Sequence, residues 1–350
     1  MFYIIREKEK WDSIISECDS IDFYHTYDYH QLAKKKGEEP VLIYFKEKDT
    51  IIALPLLFRN IGNTGYKDAT SVYGYPGPIT KNVTKDYDNG SFQEKLRQLF
   101  IDQNIISVFS RLNPFVPNQE ICLNELGTIE TLGRIVYFDL KKTLENQWAV
   151  YHKRLRTYIN KYRKIYTLKK VNTPAELTTF IKLYHENMKR VNATYDYFFD
   201  EKYFTYLLHS KDFNTEILLA LYNETNEIAG GAIFIFKDNI IQYHLSGVSE
   251  KYLDLSPIKL LIDEMRIRAT MSNYSYFNLG GGLGNREDSL FHFKSGFSKD
   301  FKPFKVWKYI VNQTVYEDLV WQRRDISDCI ESGEYFPLYR CDNEYNAVTK

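Results

Sequence analysis

The sequence predicts an α/β (α+β) fold in two units, each with a mixed central sheet, that share one cleft. The chain has 350 residues, more than one typical hydrophobic core holds. Hydrophobic residues make up 44% and charged residues 26%, which is an ordinary globular composition. Short apolar runs with strand character alternate with segments of helical periodicity along the chain, and this alternation predicts the mixed architecture.

The first unit is predicted to cover residues 1–145 and to take back the tail from about residue 309 to 350. Helices are predicted at WDSIISEC, at SFQEKLRQLFIDQN and at YHQLAKKKG, where Gly37 ends the helix. The two apolar runs of PVLIYFKEKDTIIALPLLFRN, separated by KEKD, predict a hairpin. Further strands are predicted at IISVFSRL and GRIVYFDL, and the glycines and prolines of SVYGYPGPIT exclude a helix there.

The second unit, residues 146–308, is predicted to open on a basic helix from Lys153 to Lys170 that contains no acid. Helices follow at TPAELTTFIKLYHENMKRVN, which Thr173 caps, and at KYFTYLLHS. The remaining elements are the strands TEILLALYN, EIAGGAIFIFKD and IIQYHLSGVS, the helix SPIKLLIDEMRIRATMS, and the strands YSYFNL and VWKYIV. This order resembles that of the GNAT-type acyltransferases, in which a helix follows the central strand.

Charge and cysteine content exclude several classes of function. The formal charge is zero and the pI is near 7.0, so the chain has no overall field for DNA or an anionic membrane. The four cysteines form no CxxC pair and the seven histidines show no ligand spacing, so we predict no metal site and reduced thiols. No order of Ser, His and Asp or of Cys and His suggests a covalent acyl-enzyme.

Two features of the sequence bear on its location and its ligand. The start, MFYIIREKEKWDSII, carries charges where a signal peptide would be apolar, and no run approaches the length of a membrane span. We therefore expect a cytoplasmic protein without an integral membrane segment. Aromatic residues reach 16%, with 29 Tyr and 23 Phe. They indicate either packing on strand-rich surfaces or a cleft lined by phenols.

The glycine run in YFNLGGGLGNREDSLFHFKSGFS does not fit a nucleotide-binding loop. A dinucleotide fingerprint needs a long helix and a second βαβ unit after it, and neither follows. A Walker loop needs Lys and Ser or Thr after the last glycine, where Asn285 and Arg286 stand instead. The loop EKYLDLSP after IIQYHLSGVS also has no glycine and carries Glu250 and Asp254, so it does not predict an ordinary CoA pyrophosphate site.

The chain resembles the FemABX-like group of aminoacyl and peptidyl transferases, which are built from two GNAT-like units. The resemblance rests on an ordered set of stretches that touches most of residues 20–300. These stretches are FYHTYDYHQLAKKKG, LPLLFRN, ATSVYGYPGPIT, HKRLRTYINKYRK, LYHENMKRVNATYDYFF, YHLSGVSEKYLDLSPIKLLIDEMRIRA and FNLGGGLGNREDSLFHFKSGFS. The chain lacks the charged heptads of the coiled-coil arm that some members carry.

The resemblance implies a reacting centre and a binding surface for the acceptor. Lys294 matches the lysine that stabilises the oxyanion, and Phe293 is its partner. The alternative is a surface lysine on a short amphipathic helix. Substrate-binding positions match Tyr73, Tyr75, Arg190, Tyr195 and Tyr243. The alternative for Tyr73 and Tyr75 is a turn with a structural role only. The alternative for Arg190 is a helix end exposed to solvent.

The donor side is predicted at the start of the basic helix, at Lys153, Arg154 and Arg156, which could contact the phosphates of a tRNA acceptor stem. A solvated charged face is the alternative. No permanently bound cofactor is expected. The donor is either an aminoacyl-tRNA or an acyl-CoA or acyl-carrier thioester.

The sequence and the resemblance together predict an acyl or aminoacyl transferase. It would act in a ternary complex on an amine of a nucleotide- or lipid-linked sugar or peptide precursor of the cell envelope. The first alternative is a CoA- or carrier-protein-dependent N-acyltransferase that acts on a nucleotide-linked amino sugar. The second is a non-catalytic glycan- or nucleotide-binding protein with the same fold.

Overall fold

A computed structural model of the chain describes residues 1–323 and 335–341. The chain divides into two compact units, residues 1–132 with the chain from residue 303 onward, and residues 133–302. Parts of the tail that the sequence assigns to the first unit, residues 324–334 and 342–350, lie outside the described residues. Each unit is α/β with a mixed sheet, which confirms the predicted fold class.

The described strands and helices have the following bounds. The strands are β1 (Phe2–Ile5), β2 (Glu38–Glu47), β3 (Thr50–Asn60), β4 (Lys67–Thr70), β5 (Ile79–Lys81), β6 (Ile105–Arg111), β7 (Thr128–Asp139), β8 (Tyr166–Lys170), β9 (Asn214–Tyr222), β10 (Ile228–Lys237), β11 (Ile240–Val248), β12 (Tyr276–Gly280) and β13 (Asp300–Ile310). The helices are α1 (Lys8–Ser16), α2 (Tyr27–Ala33), α3 (Gly90–Asp102), α4 (Gln119–Leu123), α5 (Leu144–Ala149), α6 (Lys153–Ile165), α7 (Pro174–Arg190), α8 (Glu201–His209), α9 (Ile258–Met271), α10 (Ser289–Ser295) and α11 (Gln313–Trp321).

The sheet of the first unit has the strand order β1-β2-β3-β4-β6-β13, with β5 also on β3. The predicted hairpin is present as β2 and β3, which pair antiparallel from Glu38 with Arg59 to Glu47 with Thr50. The β4–β6 pair is parallel, so the sheet is mixed. Two core clusters lie against the strands of this sheet. Helix α3 contributes Phe92, Leu96 and Phe100 to the first cluster. Helix α1 contributes Trp11 to the second.

The sheet of the second unit has the order β7-β12-β11-β10-β9-β8, in which only β11 and β12 run parallel. Its main core contains Leu155 and Ile159 of α6 with Leu261 and Met265 of α9. Helix α7 lies against β10 and β11, where glycine permits a close approach. A Cβ on Gly247 would stand 2.5 Å from the backbone nitrogen of Tyr184.

Two helices are shorter than the sequence predicts. The basic helix is α6, which ends at Ile165, and the residues up to Lys170 form β8 beside β9. Tyr166 already has extended dihedral angles, because its side chain enters the core of the second unit. Helix α2 ends at Ala33 because Lys34 is extended, so Gly37, with φ +86°, serves the turn before β2 instead.

The cysteines differ in part from the expectation. Cys18 and Cys122 are free thiols, as predicted, whereas Cys341 is disulfide-bonded, so the prediction of a reduced thiol is wrong there. Cys329 lies outside the described residues.

A buried carboxylate fixes the described end of the chain to the first unit. Asp68 of β4 accepts hydrogen bonds from Arg59 at 2.7 Å, from Arg340 at 2.8 Å and from the Tyr339 hydroxyl at 3.2 Å. The Tyr339 hydroxyl also lies 2.8 Å from the Ser107 hydroxyl. Since a buried charge needs such partners, these contacts hold the turn Leu338–Arg340 in place.

Candidate active site

The glycine run that follows β12 makes a tight turn and leads into α10. Gly280 has φ +78°, and a Cβ on Gly282 would lie 2.0 Å from the carbonyl oxygen of Arg286. Asp288 closes the turn, because its carboxylate accepts from the backbone N–H of Leu283 at 3.1 Å and of Phe291 at 2.9 Å. The second of these bonds is the N-cap of α10. The turn therefore has a fixed position relative to this short helix.

Lys294 lies on α10 with its side chain buried, at 8% exposure. Its amine donates a hydrogen bond to the carbonyl oxygen of Gly281 at 2.5 Å. Burial lowers the pKa of Lys294 to about 8, and the Asp288 carboxylate opposes part of that change. The lysine is thus a fixed amine in a desolvated place, and its charge titrates close to neutral pH.

Two parallel strands separate directly before the glycine run. Strand β11 pairs with β12 only from Ile240 to Gln242, although β11 continues to Val248 along β10. At the point of separation, Asn278 donates its side-chain amide to Gln242 at 2.8 Å and accepts from the N–H of Gly280 at 2.8 Å. This buried amide pair fixes the strand end from which the glycine run starts.

A cavity of about 410 Å³ lies beside α10. Its lining comes from the starts of α6 and α9, from α10 and from the turn after α10, and consists of His152, Arg154, Leu155, Tyr158, Lys259, His292, Phe293, Ser295, Gly296 and Lys299. We name it the basic cavity, because it combines three permanent cations and two histidines with no carboxylate.

Two cations of the basic cavity, Arg154 and Lys259, contact Tyr158. Arg154 donates from Nε to the Tyr158 hydroxyl at 2.8 Å, and the Lys259 amine lies 4.8 Å from the centre of the same ring. Lys299 donates to the carbonyl oxygen of Ser295 at 2.7 Å. Burial lowers the pKa of the Lys259 amine, and the nearby Arg154 acts in the same direction.

The structure brings together part of the predicted catalytic and donor-binding set. Phe293 lines the basic cavity and packs edge-on against Phe297 at 5.4 Å. Arg154 lines the same cavity, whereas Lys153 and Arg156 are not among its lining residues. Consecutive helix positions point in different directions, so a basic segment places only some of its charges at one site.

The predicted substrate-binding residues of the second unit lie outside the basic cavity lining. Arg190 ends α7 and donates to the Asn187 side chain, and Tyr195 is 90% exposed in the turn Tyr195–Tyr197. Tyr243 lies on β11 directly after the end of its pairing with β12. Its hydroxyl is 2.5 Å from that of Ser246, and burial raises its pKa to about 12.

Tyr73 and Tyr75 lie in the first unit, on the glycine- and proline-rich turn. The Tyr73 ring is 61% exposed, with Arg111 5.5 Å from its centre. The Tyr75 ring packs edge-on against Tyr24 and Phe304. Gly74 has φ +114°, and a Cβ there would lie 2.0 Å from the Tyr24 ring, so this turn requires glycine.

The side chains of the loop before α9 occupy the space within the loop. Glu250–Leu255 forms a 3₁₀ helix in which Tyr252 is buried, and Pro257, which has no N–H, is the N-cap of α9. The ring of Pro257 would stand 2.8 Å from a Cβ on Gly230, so the loop lies directly on β10. This geometry agrees with the absence of glycine from EKYLDLSP and offers few N–H donors for a pyrophosphate.

Several site residues were missed in the sequence. Tyr158, Lys259 and Lys299 join the basic cavity from three separated segments, and no spacing rule connects them. Asp288 carried a usable signal, because an Asp directly before an apolar helical run is a favoured N-cap. Among residues 1–323 and 335–341, no group of three or more His, Cys, Asp or Glu is placed to hold a metal, and no helix is long and apolar enough to cross a membrane.

Comparisons with known proteins agree with the fold. The family model for the acetyltransferase (GNAT) domain matches residues 150–295. The crystal structure of FemX superposes with a TM-score of 0.69 at 12% identity, covering 90% of this chain and 99% of FemX. No curated protein matches the sequence.

Two further solved structures share the fold. The C-terminal domain (DUF2156) of a putative lysylphosphatidylglycerol synthetase from Agrobacterium fabrum has a TM-score of 0.56 at 13% identity, covering 86% of this chain and 90% of its own. A conserved protein of unknown function from Bacteroides thetaiotaomicron has a TM-score of 0.57 at 13% identity, covering 89% of this chain and 100% of its own.

Residues 150–295 thus form an acyltransferase domain of the GNAT type, in a chain whose two-unit fold is similar to that of FemX. The fold of the chain is similar to that of FemX, which agrees with the resemblance of the sequence to the FemABX-like group.

Proposed function

We propose that this protein transfers an acyl or aminoacyl group onto an amine of a sugar- or peptide-containing cell-envelope precursor. The observation that carries the proposal is the buried amine of Lys294, fixed by the Gly281 carbonyl at the end of the glycine run. Lys294 forms no ion pair with the part of the chain that the structure describes, and an unpaired lysine is costly to keep buried. A developing negative charge in the reaction would compensate for that cost.

The reaction is a direct attack in a ternary complex. The acceptor amine attacks the carbonyl carbon of the donor ester or thioester, and the carbonyl oxygen becomes an oxyanion. An ammonium group has three donors, and Gly281 uses one of them, so two remain for the oxyanion. Collapse of the intermediate breaks the bond from the carbonyl carbon to the donor oxygen or sulfur. The proton that the acceptor nitrogen loses ends on this leaving group, which departs as the alcohol or thiol. Phe293 is proposed to shape the site beside Lys294.

The donor is an aminoacyl-tRNA or an acyl-CoA or acyl-carrier thioester. Three basic residues, Lys153, Arg154 and Arg156, are proposed to contact it, with Arg154 best placed because it lines the basic cavity. The loop before α9 offers few N–H donors for a pyrophosphate. It therefore favours a donor that is not bound there as CoA is bound in ordinary CoA enzymes. A CoA- or carrier-dependent N-acyltransferase on a nucleotide-linked amino sugar is the alternative, and a turnover assay with both classes of donor separates the two.

The acceptor is a nucleotide- or lipid-linked sugar or peptide precursor. Its proposed contacts are Tyr73, Tyr75, Arg190, Tyr195 and Tyr243, which supply phenol faces and one guanidinium suited to phosphate. We propose that the first unit serves the acceptor through Tyr73 and Tyr75, and that the second unit serves the donor and the chemistry and supplies the other three acceptor contacts. The reaction is placed in the cytoplasm, where both classes of donor are available.

The test is a turnover assay with purified protein. Acetyl-CoA or bulk aminoacyl-tRNA would be the donor, and UDP-linked wall precursors or amino sugars would be acceptors, with product read by mass spectrometry. Lys294→Met should lower kcat by about 10²–10³-fold, the usual cost of removing one oxyanion donor. Exposed Lys211, in the same unit, provides the control Lys211→Met. Turnover by Lys294→Met at the wild-type rate would refute the mechanism, and no product from any pair would refute the function.

A further inference from the structure

The turn that carries Tyr73 is held by side chains from the segment at the start of α2, FYHTYDYH. The Tyr29 hydroxyl donates a hydrogen bond to the carbonyl oxygen of Tyr73 at 3.0 Å. The carbonyl oxygen of Pro76, three residues further along the turn, lies 2.5 Å from Nε2 of His25. Both side chains are buried, so these contacts are made away from water. One short segment therefore binds the backbone of the turn at two points.

The His25 ring has a single tautomer in this arrangement. Its Nδ1 accepts from the backbone N–H of Asp22 at 2.8 Å, and its Nε2 faces the Pro76 carbonyl. Because a carbonyl oxygen can only accept, the ring proton must lie on Nε2. Burial lowers the pKa of His25 to about 4, so the ring stays neutral near pH 7. His25 is therefore a donor with a fixed direction.

Two buried amides complete the support of the turn. The Asn113 side chain donates to the carbonyl oxygen of Tyr75 at 2.7 Å and to the Asp22 carboxylate at 3.0 Å. The Gln119 side chain donates to the Pro76 carbonyl at 3.2 Å and accepts from the N–H of Asn113 at 2.7 Å. A buried polar network whose members bind one another in this way holds one conformation.

We propose, building on the proposed function, that His25 and Tyr29 are positioning residues for the acyl acceptor. They hold the backbone of the turn, and through it the ring of Tyr73, in the arrangement that the acceptor binds. The Tyr73 ring is 61% exposed, so core packing does not fix it, and its place depends on the backbone that carries it. The next residue, Gly74, adds backbone freedom that the unfolded chain would otherwise keep.

A turn that is fixed before binding favours affinity, because little conformational entropy is lost when the ligand binds. The side chains of His25 and Tyr29 act through the turn and not through the reacting centre. Their loss should therefore weaken binding of the acceptor and leave binding of the donor and the chemical step unchanged. A network that only stabilises the first unit would show no such selectivity.

Two substitutions of His25 separate its two contacts. Asn can accept from the N–H of Asp22 in place of Nδ1 but is too short to reach the Pro76 carbonyl, whereas Gln can place an amide N–H near the position of Nε2. His25→Asn should weaken acceptor binding by about fivefold or more, the effect of one lost hydrogen bond. His25→Gln should bind within about twofold of the wild type. Calorimetry on the intact protein measures this, with UDP-N-acetylmuramyl peptide and UDP-glucosamine as probes, of which at least one should bind.

Matched controls come from the same helix. Tyr29→Phe removes only a hydroxyl and should also weaken acceptor binding by about fivefold. Its control is Tyr27→Phe, because the Tyr27 ring packs against Trp11. His30→Asn repeats the substitution of His25→Asn at a second fully buried histidine, whose ring also packs against Trp11. Both controls should bind the acceptor within about twofold of the wild type, even where their Tm is lower.

Steady-state kinetics provide a second readout with the same variants. In His25→Asn and Tyr29→Phe the KM for the acceptor should rise, while the KM for the donor and kcat at saturating acceptor stay within about twofold. The positioning role is refuted if neither probe binds the wild type, or if His30→Asn weakens acceptor binding as much as His25→Asn. Because binding needs no chemistry, a selective loss of affinity would support the role even if no acyl transfer were found. Acyl transfer with unchanged affinity in these variants would refute the positioning role alone.

Discussion

The amine of Lys294 and the carbonyl oxygen of Gly281 are joined by a hydrogen bond of 2.5 Å. The two positions differ by 13 in sequence number, and the N-cap Asp288 between them fixes the turn that brings them together. The glycine run and the lysine are therefore one structural unit, in which the backbone of the first orients the side chain of the second.

The charge of Lys294 predicts the pH dependence of turnover. Because burial lowers its pKa to about 8, the ammonium form predominates below that pH and is lost as the pH rises through it. If Lys294 stabilises an oxyanion, kcat should fall above about pH 8. A profile measured from pH 6 to 10 with a saturating donor checks this. A rate that instead increases through pH 8 and then levels off would mean that Lys294 acts as a neutral base.

The shape of the glycine run predicts a selective loss of activity. A Cβ at Gly282 would lie 2.0 Å from the Arg286 carbonyl and 2.3 Å from an Asp288 oxygen, so Gly282→Ala must displace the turn. We expect kcat to fall by at least about tenfold, since small misplacements of catalytic groups are costly. Gly284→Asn is the control, because no atom lies within 4 Å of the place that a Cβ would take there and Asn tolerates its φ of +58°. Equal activities of the two variants would show that the turn does not position Lys294.

The contact between Lys294 and the glycine run was easier to predict from the sequence than the lining of the basic cavity. Lys294 and the glycine run lie on one continuous stretch, so a single motif contains both. The basic cavity is different, because Tyr158, Lys259 and Lys299 become neighbours only when α6, α9 and α10 pack on one sheet. The fold order was readable because strands and helices have strong periodicities. The end of α6 could not be predicted from the sequence, because burial of Tyr166 overrides a helical pattern of lysines and tyrosines.

The buried ion pairs of α9 predict that a substitution of Asp263 strongly lowers the stability of the protein. Asp263 is fully buried and accepts hydrogen bonds from Tyr151 at 2.9 Å, from Arg163 at 2.5 Å and from Arg266 at 2.9 Å. Asp263→Ala leaves the buried guanidinium of Arg266 without its carboxylate, which should lower the free energy of unfolding by about 3–5 kcal/mol. Denaturant unfolding measures this.

The neighbouring acid provides the comparison for Asp263. Glu264 is only half-buried and forms no ion pair with the described residues, so Glu264→Ala should change stability by about 0.5 kcal/mol or less. Similar losses in the two variants would show that the buried network does not stabilise the second unit.

Two buried histidines of the first unit predict sensitivity to acid. Burial lowers the pKa of His25 to about 4 and that of His30 to about 3. The side-chain nitrogen Nε2 of His30 has no hydrogen-bond partner among residues 1–323 and 335–341, and its ring packs against Trp11 at 5.0 Å. Both rings therefore stay neutral in the folded protein while the unfolded chain takes up protons near pH 6.5.

The direction of the effect follows from proton uptake. Below about pH 6.5 the unfolded state binds more protons than the folded state, so stability falls as the pH decreases towards 4 and is fully present above about pH 7. At pH 5 each histidine should cost about 2 kcal/mol of unfolding free energy. His30→Phe keeps the ring against Trp11 and removes the titration, so its Tm should fall less between pH 7 and 5 than that of the wild type. His209→Gln, at an exposed position, should follow the wild-type curve. Parallel curves for all three proteins would assign the acid sensitivity to other groups.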